Sequence, residues 1–91
     1  QEAGVGLMHV SVISAERAVF DGEADAVVAP AYDGLVGILP HHAPFMTLLG
    51  KGIVTIRRSG ETKKVEVSGG FLQVASDVVR VVARSASATD T

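Results

Sequence analysis

Apolar residues in this chain come in short runs broken by turn-forming residues, and no window sustains a 3.6-residue period. The runs at residues 8–13, 18–20, 24–29, 36–39, 45–49, 53–57, 63–68, 71–75 and 78–83 read as strands. Alternation is cleanest in Val65-Glu66-Val67-Ser68, which predicts one buried and one wet face. Asp21-Gly22 is a strong turn dipeptide and ends the second run. Residues 14–17, 30–34, 50–52 and 58–62 read as turns or loops, and Ser76-Asp77 as the tip of a last hairpin. Gly69-Gly70 marks a bulge or a close backbone approach. This pattern predicts an all-β fold, a β-sandwich of about eight to ten short, mainly antiparallel strands with no helix beyond two turns.

Composition sharpens that expectation. Hydrophobic residues make up 47% of the 91 positions but aromatics only 4%, and valine occurs fifteen times. β-branched side chains favour a pleated surface. The length fits one small domain, predicted at residues 8–84. Residues 1–7 read as a flexible leader or cloning remnant, and residues 85–91, without apolar periodicity, as a disordered tail.

Charge and residue types exclude several functions. The net charge of −2 and the short basic pairs Arg57-Arg58 and Lys63-Lys64 give no nucleic-acid footprint. Without cysteine there is no disulfide, thiolate metal site or cysteine nucleophile. No run approaches the roughly 18 apolar residues of a membrane helix.

The densest signal lies at residues 34–44, Gly-Leu-Val-Gly-Ile-Leu-Pro-His-His-Ala-Pro. Pro40 and Pro44 fix φ and favour extended backbone at Leu39 and Ala43. The residues leave two readings open, a buried crossover between sheets or a shaped contact surface for another protein. The neighbours His41 and His42 are not expected to share a metal ion, because adjacent strand residues point to opposite faces. Ser14, His42 and Asp33 can be written as a triad, yet no serine sits in a nucleophile elbow. No glycine-rich turn leads into a helix carrying Lys-Ser or Lys-Thr, so a phosphate loop is absent. An enzyme, a metal centre and a cofactor are therefore not predicted, and the most economical role for His42 is a half-buried imidazole bonded to the loop backbone.

The same segment resembles the signature of the epsilon subunit of F-type ATP synthases (delta in mitochondria), Gly-acidic-hydrophobic-Gly-Ile-Leu-Pro-Gly-His-Ala-Pro. Residues 12–16 with Val19-Phe20-Asp21-Gly22, Val28-Ala29-Pro30, Val67-Ser68-Gly69-Gly70-Phe71-Leu72-Gln73-Val74 and residues 78–83 resemble further family segments, in order and correctly spaced. The resemblance implies a non-catalytic structural and coupling subunit of the rotor stalk in a proton-translocating synthase, joining the gamma shaft to the c-ring. It implies gamma contacts at Ser14, His42 and Thr47, c-ring contacts at Asp33, Gly34, Leu35 and Val36, and a peripheral place at the cytoplasmic face of a bacterial inner membrane. Many members of that family continue into a C-terminal helical hairpin where residues 85–91 stand here, which reads as either a naturally short form or a truncation, and a chain without the hairpin is expected to lack a helical brake on ATP hydrolysis and tight ATP binding. Two departures stand out. His41 occupies the family's glycine position, leaving its backbone angle open, and Leu35 replaces the usual acidic residue, with Asp33 two positions earlier. The alternative reading is a biotinyl- or lipoyl-type carrier domain with Lys63-Lys64 near a hairpin tip.

Overall fold

Alternating valines give each strand one apolar face, and the computed structural model, which describes residues 6–89, buries those faces against one another. Eight strands follow in order among the described residues: β1 Met8–Ile13, β2 Ala18–Ala24, β3 Ala26–Ala31, β4 Gly34–Ile38, β5 Phe45–Leu48, β6 Lys51–Arg58, β7 Glu61–Ala75 and β8 Val78–Thr89. They form one hydrogen-bonded path, β2-β1-β8-β7-β6-β3-β4, with β5 also paired to β7. All pairings are antiparallel except β1 with β8.

The path doubles over into a sandwich because its longest strands change layer. In β7 the buried residues are Val65 and Val67 and then Leu72 and Val74, an odd set followed by an even one. β8 changes in the same place, from Val79, Val81 and Ala83 to Ala86. Leu49 and then Val54 and Ile56 repeat the change beside them. A period-two strand cannot shift its inward set without a bend. The bend is Gly69–Gly70, with φ of 72° and 107°. A Cβ on Gly70 would overlap the Val82 carbonyl and lie 2.8 Å from the Ala83 Cα. The first layer is thus β4-β3-β6 with the early part of β7 and the late part of β8. The second is β5, the late part of β7, the early part of β8, β1 and β2. Apart from the Met8 thioether, every buried hydrophobic side chain in the core is aliphatic, and no polar or charged residue is buried among the described residues.

Three expectations need correction. β2 runs through Asp21-Gly22, which pair with Ser11 and Val10 instead of turning. Gly22 serves packing, since the Phe20 ring lies 3.2 Å from where its Cβ would be. The chain bends at Asp25, whose carboxylate accepts the Ser59 N–H at 3.0 Å. β3 begins later than expected and includes Pro30, which sits where the β3–β6 register shifts and packs on Gly52. Residues 85–89, expected to be a disordered tail, complete β8 opposite β7, from Ser85↔Ser68 to Thr89↔Lys64. The backbone ladder recruits these small residues, and only Ala86 adds to the core. Most of the proposed leader and the last two residues lie outside the described residues.

Gly70→Ala should destabilise the chain by about 3 kcal/mol or more, from overpacking plus left-handed strain. Gly37 has ordinary φ and nothing within 4 Å of a built Cβ, so Gly37→Ala should add about 0.4–1 kcal/mol by restricting the unfolded chain. Urea denaturation of both variants checks the pair; equal midpoints would contradict the layer-change account.

Candidate functional site

Cross-strand registers show which side chains share a surface. On the outer face of the second layer, Leu48, Phe71, Val82 and Ile13 form one row across β5, β7, β8 and β1. The next outer row is Met46, Gln73, Arg80 and Ser11. Met46 and Leu48 are 65% and 62% exposed, and with Thr47 and Phe71 they line a shallow apolar groove. Beyond the second row the surface turns charged, with His9 Nε2 2.7 Å from Asp21 Oδ1. An apolar row of this size on an outer sheet face suits a protein contact better than solvent.

The residues expected to touch gamma do not form one cluster. Ser14 closes the β1–β2 turn: its N–H donates to the Arg17 carbonyl at 2.8 Å, and its Oγ accepts the N–H groups of Glu16 and Arg17 at 3.3 Å. It extends β1, three strand spacings from β5, roughly 14 Å. Thr47 pairs with Leu72 and so shares the inner face, half-buried at the sheet edge. Its neighbours Met46 and Leu48 hold the outer face. Thr47 is the polar residue of an apolar run, and the phase of that run is set by the bend at Leu49-Gly50.

His42 lies at the opposite end of this layer from Ser14. Its N–H donates to the Leu39 carbonyl at 3.2 Å, its ring Nδ1 lies 2.7 Å from the Ala43 carbonyl oxygen, and its ring rests against Phe45 with centroids 5.0 Å apart. This is the half-buried, backbone-bonded histidine that the residue pattern suggested. His41 takes φ 69°, so the angle left open by the missing glycine is left-handed. Its N–H donates to Asp77 Oδ1 at 2.6 Å.

Asp33, Gly34, Leu35 and Val36 form a hairpin end instead of a loop. Ala31 pairs with Gly34, and Tyr32 and Asp33 make the turn. Tyr32 is 67% exposed and Leu35 75%, while Val36 turns toward the core. Gly34 has φ 136°, open only to glycine without strain. The hairpin root is tied to β5: the Tyr32 N–H donates to the Leu48 carbonyl at 3.0 Å, and the Gly50 N–H to the Pro30 carbonyl at 2.8 Å. Sequence reading missed this tie, which carries no side-chain signature.

Among the described residues no three His, Cys, Asp or Glu side chains gather as a metal site. Lys63 and Lys64 are paired within the β6–β7 ladder, whereas Ser59 and Gly60 form its tip, so neither lysine occupies the position a carrier domain needs.

The family described as ATP synthase, Delta/Epsilon chain, beta-sandwich domain, matches residues 7–89. An ATP synthase epsilon chain of Leptospira borgpetersenii serovar Hardjo-bovis is 41% identical over 75 residues, covering 82% of this chain and 59% of that one. An ATP synthase epsilon chain of Caulobacter vibrioides is 40% identical over 79 residues, covering 87% of this chain and 92% of that one. This chain thus spans about 60% of the length of several curated relatives it matches. In fold it is similar, with a TM-score of 0.84 at 18% identity, to a chain in the Euglena gracilis mitochondrial ATP synthase OSCP/F1/c-ring structure, covering 97% of this chain and 57% of that one.

The outer apolar row should contribute little to folding. Met46→Ser and Leu48→Ser should each shift stability by about 0.5 kcal/mol or less, as exposed substitutions do. Leu72→Ala, at a fully buried position, should cost about 2–5 kcal/mol. Thermal melts of the three variants check the contrast.

Proposed function

Because this chain belongs to the delta/epsilon family of ATP synthase chains, whose β-sandwich it matches, we propose that it is a non-catalytic coupling subunit joining the gamma shaft to the c-ring. One observation carries the reading. Leu48, exposed on the outer face of β5, is hydrogen-bonded through its carbonyl to Tyr32 at the root of the β3–β4 hairpin. Two exposed apolar surfaces are thereby joined by backbone, with no flexible side chain between them.

In this reading Met46 and Leu48, with Phe71 beneath, make the main gamma contact, flanked by Ser14, His42 and Thr47. Asp33, Gly34, Leu35 and Val36 meet the c-ring, with Leu35 offering an apolar tip and Asp33 the nearby carboxylate. The mechanism is mechanical. Torque passes between partners only if the joint deforms less than the interfaces slip, and close-packed aliphatic layers deform little. A stable joint needs about 1,200 Å² or more of total buried surface at the shaft. The subunit is held at the cytoplasmic face of a bacterial inner membrane through its partners, and needs no nucleotide or metal of its own.

Leu48→Glu should raise the dissociation constant for purified gamma chain by about tenfold or more, since a charge replaces a central apolar contact. Leu35→Arg, which puts the opposite charge where the family usually carries an acidic residue, should leave that constant within about twofold but reduce retention of the shaft complex on c-ring proteoliposomes, as expected of separate, non-coupled sites. Calorimetry and co-flotation measure the two. Gamma binding insensitive to Leu48→Glu would remove the assigned shaft face.

A further inference from the structure

Residues 39–42, Leu-Pro-His-His, make a β-turn closed by the His42 N–H on the Leu39 carbonyl at 3.2 Å. Proline at the second position fixes φ near −65°. His41 at the third has φ 69°. These features define a type II turn, which requires positive φ at the third position and favours glycine or asparagine there. Histidine has an easier alternative. A type I turn keeps proline in place and sets the third residue near φ −90°. The two forms differ by a flip of the central peptide, the unit whose N–H belongs to His41. The turn is therefore a two-state element, and a side chain with a Cβ biases it away from the form observed.

Asp77 supplies the opposite bias. Its Oδ1 accepts the His41 N–H at 2.6 Å across 36 residues of sequence, and its Oδ2 lies 3.5 Å from His41 Nδ1. A peptide flip would turn that N–H away, so the bond exists only in the type II form. Bonds to a carboxylate are among the stronger hydrogen bonds. Asp77 is itself well anchored: it sits in the β7–β8 turn at φ 60°, and its carbonyl accepts the His9 N–H at 2.9 Å from β1. The next residue after the turn's third position is His42, whose ring packs on Phe45.

We propose that the Asp77 carboxylate selects the type II form of the 39–42 turn, making Asp77 the positioning residue for His42 in the shaft contact; this second part rests on the gamma-binding reading. The carboxylate does for this chain what a glycine at position 41 would do without help.

Nuclear Overhauser measurements on the 91-residue chain test the turn directly, because a strong contact from Pro40 Hα to the His41 N–H marks type II and weakens in type I. The original chain should show it strongly. Asp77→Gly, which tolerates the left-handed angle while removing the carboxylate, should weaken it. Asp77→Asn, which keeps an oxygen acceptor, should retain it. The double variant His41→Gly/Asp77→Gly should restore it, since glycine adopts type II unaided. A contact unchanged in Asp77→Gly, or still weak in the double variant, overturns the proposal. With purified gamma chain, Asp77→Gly should raise the dissociation constant about threefold to tenfold, the factor by which the competent fraction falls, and the double variant should recover it. His42→Glu separates the two parts: if it leaves gamma binding unchanged, the contact at His42 falls, while the Overhauser series still decides the turn.

Discussion

The close approach of Gly70 to the Val82–Ala83 backbone is the constraint on which the rest of the structure depends. It lets β7 and β8 bend together, and the bend moves their apolar faces from one layer to the other. β5 and β6 follow the same line, because the Leu49 N–H donates to the Gly70 carbonyl and the Gly69 N–H to the Gly50 carbonyl, at 3.0 and 3.3 Å. The β3–β4 hairpin is fixed to that line in turn. A domain of this size buries a limited fraction of its surface. It gains its second layer by folding one sheet over instead of adding strands.

That geometry also decides where function can lie. With apolar side chains filling the interior and no polar or charged residue buried among the described residues, no polar side chain is enclosed within the described sandwich. What it does offer is apolar side chains held outward by the bend. Met46 and Leu48 are outward because Phe45 and Thr47 are inward, and that phase is fixed where Leu49 enters the core. The same bend anchors Tyr32 to Leu48. The exposed apolar face and its rigid mounting thus arise from one set of backbone bonds, as the proposed coupling role requires.

Much of this could be read from the residues, and the failures have physical causes. Alternation placed β1 at its observed bounds and the Ser76-Asp77 tip correctly, because period-two burial is a local signal. Gly69-Gly70 announced a close approach, though the partner backbone could not be named from sequence. Asp21-Gly22 misled because its glycine makes room for the Phe20 ring, a tertiary reason that mimics a turn. Residues 85–89 misled because a ladder with β7 orders side chains that have no apolar pattern. At the candidate site the bonded His42 was visible in the sequence, whereas residues 30–34 read as a loop because the Ala31–Gly34 pairing that makes them a hairpin end has no side-chain signature. The outward face of β5 was hidden, since only the bend sets its phase, and Asp77 was hidden because it reaches His41 across the fold.

The central claim, that the β5 face seats on the gamma shaft, is most directly tested by methionine footprinting. The chain has two methionines, Met8 at 1% exposure and Met46 at 65%. Peroxide oxidises exposed thioethers and spares buried ones, so Met8 is an internal control for folding. In the free chain Met46 should oxidise readily while Met8 stays intact. On saturation with gamma chain, Met46 should become protected with Met8 unchanged. A stable complex in which Met46 oxidises as fast as in the free chain would contradict the account.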